Sequence, residues 1–337
     1  MTPPSPLLRV ENLSVRFPIP GEMWGAKAVV HAVEDVSFDL APGETLGIVG
    51  ESGCGKSTLG RTVLNLIPAT LGRVFWQGRH LAAATAREQR LMRREMTMIF
   101  QDPLASLNPR MTVGSLVGEP LDIFEPSLAR DERRRRIAAV LERVGLPPDA
   151  VARYPHQFSG GQCQRIGIAR ALILKPKMIV CDEAVSALDV SVQAQIVALL
   201  GELSREMGVS LLFISHNLAV VRQISDRIMV LYLGRVMEIA DRQSLYHAPR
   251  HPYTQALLSA VPVPDPEIER QRQRIHLVGE LPSPLNPPSG CVFHTRCPFA
   301  SERCQREMPA LAAIDALHTV ACHHWQEIAE GRHRATT

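Results

Sequence analysis

The stretch Gly50-Glu51-Ser52-Gly53-Cys54-Gly55-Lys56-Ser57 constrains this chain more than any other. It fits the phosphate-loop pattern G-x-x-x-x-G-K-[ST], in which glycines let the backbone curl until its N–H groups point at phosphate oxygens. The apolar run Thr45–Val49 reads as a strand entering the loop, and Lys56–Leu66 as a helix leaving it. That helix adds its positive N-terminal end to the anion site. The context argues against a chance match in a Gly-rich turn. Lys56 is placed to reach the β- and γ-phosphates, and the Ser57 hydroxyl to hold Mg²⁺. A nucleoside triphosphate site follows. Which phosphate-loop family it belongs to does not.

The surrounding pattern is that of an α/β protein. Leu8–Phe17, Val33–Leu40, Val74–Trp76 and Met96–Ile99 read as strands, as do Met178–Cys181 and Ser210–Ile214. Met178–Cys181 is wholly apolar, as a strand buried on both faces should be, and Ser210–Ile214 is another apolar strand. Thr112–Phe124, Asp131–Gly145, Gln162–Leu174, Ser191–Met207 and Asn217–Ile224 read as helices, and Arg227–Leu231 and Arg235–Ala240 as closing strands with Gly234 in the turn. Strands alternating with helices predict a largely parallel core sheet. The helix-rich stretch from about 102 to 174 interrupts that alternation and reads as a helical subdomain. After Ala260 the texture changes: Pro262, Pro264 and Pro266, then Pro282, Pro284, Pro287 and Pro288, break regular structure. We expect an ATPase-type domain over 1–260, a linker over 261–278 and a small module over 279–337.

Composition removes several classes. At 337 residues the chain has length for about two units, and 45% hydrophobic against 21% charged residues excludes general disorder. No run approaches the roughly 18 apolar residues of a membrane span, and the N-terminus lacks a secretory pattern, so a cytoplasmic protein that meets a membrane only through partners is expected. Net charge is only +3, below what a dedicated nucleic-acid binder carries. The run Arg133-Arg134-Arg135-Arg136 follows Asp131-Glu132 and reads as a solvated helix face.

Further motifs follow in order. Met178-Ile179-Val180-Cys181-Asp182-Glu183 puts two carboxylates at the carboxyl edge of a buried strand, where ligands of α/β sheets bind. Asp182 there would support Mg²⁺, and Glu183 would act as general base or water-positioner. Two solvated acids at a strand end are common, so alone this is weak. Ser159-Gly160-Gly161-Gln162 feeds a helix N-terminus and offers a second anion site, or simply a turn with a Ser cap. Gln101, the segment Ser186-Ala187-Leu188-Asp189, and His216 each follow a strand and mean little singly.

Together these pieces resemble the nucleotide-binding subunits of ABC transporters. Gly50–Ser57, with Thr58 behind it, matches the Walker A loop and Gln101 the Q-loop. Ser159–Gln162 matches the signature, Asp182 and Glu183 the Walker B end, Asp189 the D-loop and His216 the switch histidine. The resemblance implies a RecA-like core plus helical subdomain, ATP and Mg²⁺ as ligands, and Glu183, His216 and Gln101 as catalytic groups. Ser57, Gln101 and Asp182 are implied as Mg²⁺ ligands. Phe17 resembles the aromatic that stacks on adenine, with Trp24 and His31 as alternatives in the long segment that follows. It also implies head-to-tail pairing, in which Ser159 and Gly161 serve the partner's γ-phosphate. Three positions depart from the family pattern: Phe158 for Leu, Ala184 for Pro and Asn217 for Asp. None supplies an atom to the chemistry, so activity is expected to survive.

Phe100-Gln101-Asp102-Pro103, Ser106-Leu107-Asn108-Pro109, His251-Pro252-Tyr253-Thr254 and Gly279-Glu280-Leu281-Pro282-Ser283-Pro284 extend the resemblance to dipeptide/oligopeptide importer ATPases of the F type. Implied partners are a homologous D-type ATPase subunit, two transmembrane permeases and an external solute-binding protein, with the chain on the cytoplasmic face of the inner membrane. Nickel and glutathione importers share this ATPase type. A non-transport ABC ATPase acting on DNA or ribosomes lacks support, since there is neither a second phosphate loop nor a sustained heptad stretch. A metal-sensing module that has lost catalysis is opposed by intact Lys56, Asp182, Glu183 and His216.

Of seven cysteines, Cys291, Cys297, Cys304 and Cys322 crowd near the end. In a Pro-rich module with little core of its own, a metal would supply missing stability. Four thiolates suit Zn²⁺ or an iron–sulfur cluster, and His294, His318, His323 and His324 leave a mixed zinc site open. The resemblance implies a [4Fe–4S] cluster, with Zn²⁺ as alternative. Cys54, Cys163 and Cys181 read as small packed hydrophobes.

Overall fold

The computed structural model describes residues 5–19, 28–262, 265, 267, 270 and 274–330. Trp24, Pro264 and Pro266 lie outside the described residues. In chain order the strands are β1 (Leu8–Ile19), β2 (Ala28–Leu40), β3 (Thr45–Val49), β4 (Leu71–Trp76), β5 (Arg79–His80) and β6 (Met96–Ile99). Then come β7 (Met178–Asp182), β8 (Ser210–Ile214), β9 (Arg227–Tyr232), β10 (Arg235–Asp241), β11 (Ala312–Ala313) and β12 (Thr319–Val320). The principal helices are α1 (Lys56–Val63), α2 (Ala86–Glu95), α3 (Val113–Phe124), α4 (Arg130–Arg143) and α5 (Gly160–Leu172). They continue with α6 (Val190–Met207), α7 (Leu218–Ile224), α8 (Arg242–His247) and α9 (Pro252–Ser259).

The chain divides into two compact units. One contains the chain up to Leu8, Leu40–Thr45 and Trp76–Ser215. Within it β6, β7 and β8 run parallel, with Met96 opposite Met178 and Met178 opposite Ser210. All five residues of β7 and of β8 are buried, which explains why four of the five in each are apolar. The helices α3, α4 and α5 pack on one another through Leu116, Val117, Leu121, Ile137, Leu141 and Ile166. Thr112 caps α3 by accepting from the Ser115 N–H, so the predicted helix start falls one residue before the helix proper.

The other unit contains Arg9–Asp39, Leu46–Phe75 and the chain from His216 onward. Here β2, β1 and β4 neighbour one another in that order. A separate mixed arrangement joins β3 to β9 in parallel and β9 to β10 antiparallel. The short β12 adds to β10, with Val320 opposite Glu238, and β11 pairs β12. The C-terminal segment therefore draws its stability from docking. Val292, Phe293, Val320 and Ala321 are buried, and the Phe293 ring sits 5.3 Å from both Tyr232 and Tyr253 and 5.6 Å from His251. The apolar side chains of this segment use the core of β9, β10 and α9.

Candidate functional site

The phosphate loop is built by β3 and α1 in the second unit. Gly55 is the N-cap of α1, in the left-handed region at φ 99°. A Cβ there would collide with the Ala32 carbonyl oxygen, and one at Gly50 with the Leu231 carbonyl oxygen. Both glycines of the motif are thus demanded by backbone approach as well as by dihedral angle. Lys56 is 4% exposed, and its ammonium donates to the carbonyls of Gly50 (2.8 Å) and Glu51 (2.9 Å). Cys54 is buried beside it, with Sγ 3.8 Å from Nζ, and burial pushes the thiol pKa up. Ser52 and Gly53 are exposed, while Ser57 and Thr58 sit half-buried at the head of α1. The loop therefore presents backbone and hydroxyl groups to a ligand while its cation is held inside.

Two side chains that no sequence motif ties to this loop grip it at Glu51. Tyr253 of α9 accepts from the Glu51 N–H at 3.0 Å. The Arg296 Nη1 donates to both carboxylate oxygens of Glu51, at 2.9 and 3.1 Å. In the same unit, Phe17 on β1 is 39% exposed. His31 is engaged differently: its Nδ1 lies 2.6 Å from the Glu34 carboxylate, which Arg16 also grips. His216 is exposed just ahead of α7. Asn217 caps that helix, accepting from the N–H groups of Ala219 (3.0 Å) and Val220 (3.4 Å). This gives the departure from Asp at 217 a structural role that Asn fills equally well.

In the first unit Asp182 ends β7 fully buried. Glu183 follows in the left-handed region at φ 47°, an uncommon conformation for a side chain that is not glycine. Its carboxylate accepts from the Gln101 amide at 3.0 Å, so two of the predicted catalytic groups meet directly. Ser159 and Gln162 form a reciprocal capping box at the start of α5. The Gln162 N–H donates to Ser159 Oγ (3.3 Å) and the Ser159 N–H to Gln162 Oε1 (3.0 Å). Gly160 faces Leu188, and a Cβ at Gly161 would press on Val192. The signature turn and the start of α6 are therefore packed as one piece, with Asp189 as the exposed N-cap of α6. Phe158 is covered by the Arg153 guanidinium, 4.4 Å from the ring centroid, and Ala184 is 1% exposed. Both departures from the family pattern are thus filled by packing.

These motifs are matched along nearly the whole chain by known proteins. Oligopeptide transport ATP-binding protein OppF of Haemophilus influenzae is 54% identical over 319 residues, covering 94% of this chain and 96% of that protein. The OppF of Salmonella typhimurium is 55% identical at 94% and 95% coverage. The chain belongs to the ATP-binding subunits of oligopeptide ABC transporters. Residues 33–186 of this ABC subunit match the family described as ABC transporter, and residues 237–304 that described as oligopeptide/dipeptide transporter, C-terminal region. Its fold is the P-loop ABC ATPase fold. A solved dimeric ATP-binding cassette in a post-hydrolysis state, bound to ADP and Pi, superposes with a TM-score of 0.62 at 29% identity over 70% of this chain and 98% of that one.

The oxygen donors of Ser57, Gln101 and Asp182 have the hard-ligand chemistry that Mg²⁺ takes. The cysteines fare differently. Burial, and secondarily their mutual influence, pushes the thiols of Cys297 and Cys322 up to about 12 and that of Cys291 to about 11. Yet among the described residues no group of three or more His, Cys, Asp or Glu is arranged to hold a metal ion. Cys291 and Cys304 nonetheless lie close enough to act electrostatically on both Cys297 and Cys322. Cys54, Cys163 and Cys181 are buried free thiols. No described helix is long and apolar enough to cross a membrane.

Proposed function

We propose that this chain is the ATP-hydrolysing subunit of a peptide importer, associated peripherally with the cytoplasmic face of the membrane through two permeases and supplied by an external solute-binding protein. The phosphate-loop cradle carries this reading, with its two obligatory glycines and buried lysine. The OppF relatives named for oligopeptide transport favour a peptide cargo over nickel or glutathione. ATP binds Gly50–Thr58, with Phe17 against adenine and Asp189 beside the signature. Ser57, Gln101 and Asp182 would hold Mg²⁺, which would supply charge neutralisation at the phosphates. Glu183, oriented by Gln101, takes the proton of the attacking water, and His216 orients the γ-phosphate. Ser159–Gln162 serves the nucleotide of a pairing partner, which we take to be a homologous D-type subunit. The domain division at 1–260, 261–278 and 279–337 belongs to the same reading. No step runs through the cysteines. The [4Fe–4S] expectation for Cys291, Cys297, Cys304 and Cys322, with Zn²⁺ as alternative, is tested by anaerobic purification: stoichiometric iron supports it, and a colourless, iron-free protein removes it.

The test is Glu183→Gln. It keeps the Gln101 contact geometry and removes the base, so ATP still binds while phosphate release falls at least about a hundredfold. Near-normal turnover in steady state overturns the assignment.

A further inference from the structure

The phosphate loop carries an acid of its own. Glu51 follows the first glycine of the motif, and a bare carboxylate there opposes the approach of a triphosphate. The structure answers that charge from far along the chain. Arg296 lies 245 residues away and places one guanidinium nitrogen on both Glu51 oxygens. The Arg296 side chain is only 10% exposed and that of Glu51 26%, so solvent screens the pair weakly. The guanidinium sits 5.9 Å from the Tyr232 ring, whose hydroxyl is 3.5 Å from Nη1. Tyr232 packs in turn on Phe293 and Tyr253, and Tyr253 holds the Glu51 N–H. Glu51 is thus held by its side chain from one part of the C-terminal region and by its backbone from another. The Glu51 carbonyl is one of two that anchor the Lys56 ammonium, so the same residue links this grip to the cation that meets phosphate.

We propose that Arg296 is a positioning residue for nucleotide binding: the C-terminal segment neutralises and fixes Glu51, and so sets the affinity of the loop for a triphosphate. The inference rests on the ATP-binding reading and deepens it. Arg296 touches no reacting atom. It acts through Glu51, and its charge matters more than its packing.

The test is a double-mutant cycle at positions 51 and 296 in the full chain, read by equilibrium binding of a fluorescent ATP analogue and by kcat and KM for phosphate release. Arg296→Ala leaves Glu51 uncompensated, and Kd and KM rise roughly tenfold while kcat changes less than about twofold. Arg296→Lys recovers most of that loss. In the Glu51→Gln background, Arg296→Ala changes Kd less than about twofold, because no charge remains to be answered. An equal loss in both backgrounds shows that Arg296 serves packing alone and overturns the proposal. So does an unchanged Kd for Arg296→Ala in a protein of parental circular dichroism. A parent chain that binds no ATP analogue refutes the ATP reading itself and is distinct from either result.

Discussion

Glu238 holds the C-terminal segment to the body of its unit, and removing it gives a calculable loss. The side chain is fully buried on β10. Its carboxylate accepts from the Arg250 N–H at 2.7 Å, the His251 N–H at 3.0 Å and the His318 Nε2 at 2.7 Å. Glu238→Ala strands all three donors in a dry site. A buried donor left without an acceptor costs about 1–3 kcal/mol, so the sum lies at about 3–9 kcal/mol before water enters the cavity. Water at the vacated oxygens recovers part of this, and we expect a net loss of about 4 kcal/mol. With a urea dependence of about 2 kcal/mol per molar, the midpoint falls by about 2 M. Urea unfolding followed by circular dichroism measures the midpoint. Hydrogen exchange localises the damage, since the Ala321 N–H, bonded to the Met237 carbonyl at 2.8 Å, should lose protection first. Glu238→Gln keeps one acceptor in place and should lose less than half as much. A midpoint within about 0.5 M of the parent for Glu238→Ala would refute the reasoning, because the three bonds would then be worth no more to the protein than contacts with water.

Two further outcomes are expected. Gly55→Ala drives a methyl group onto the Ala32 carbonyl in a conformation that costs an L-residue energy, and binding of an ATP analogue should fall by at least about a hundredfold with the overall circular dichroism retained. Burial lowers the pKa of His251 from 6.5 to about 4, so the unfolded chain takes up a proton that the folded chain refuses. Stability is then fully present above pH 6.5 and falls as pH drops from there toward about 4, by about 3 kcal/mol from this group. His251→Asn, which keeps an acceptor for the Tyr253 N–H, should flatten that part of the difference profile, and an unchanged profile would remove His251 as its source.

How much of this was legible in the sequence depended on where the information lay. β3, β6 and β8 match the expected bounds to the residue, because each is a short, mostly apolar run bordered by polar residues or glycine within a residue or two. α2 was missed. It buries only Met92, so it shows no apolar stripe, and its one signal was the capping box of Thr85 and Glu88. α8 and α9 were missed for a similar reason. Their starts are marked by Asp241 and His251, whose side chains accept from backbone N–H groups, rather than by periodicity. The loop glycines and Lys56 were readable because one local turn uses them all. The partners of Glu51 were not, since Tyr253 and Arg296 reach it across 202 and 245 residues with no fixed spacing to betray them. Cys291, Cys297, Cys304 and Cys322 crowd in sequence and stay close in the fold, where Cys297 and Cys322 each feel Cys291 and Cys304, yet among the described residues no group of three or more is arranged as a metal ligand set.

The ammonium of the phosphate-loop lysine is tied to two carbonyls of its own turn. A phosphate oxygen that meets this nitrogen exchanges with peptide carbonyls rather than with bulk water, so the strength of the loop as an anion site is the difference between two sets of oxygen contacts.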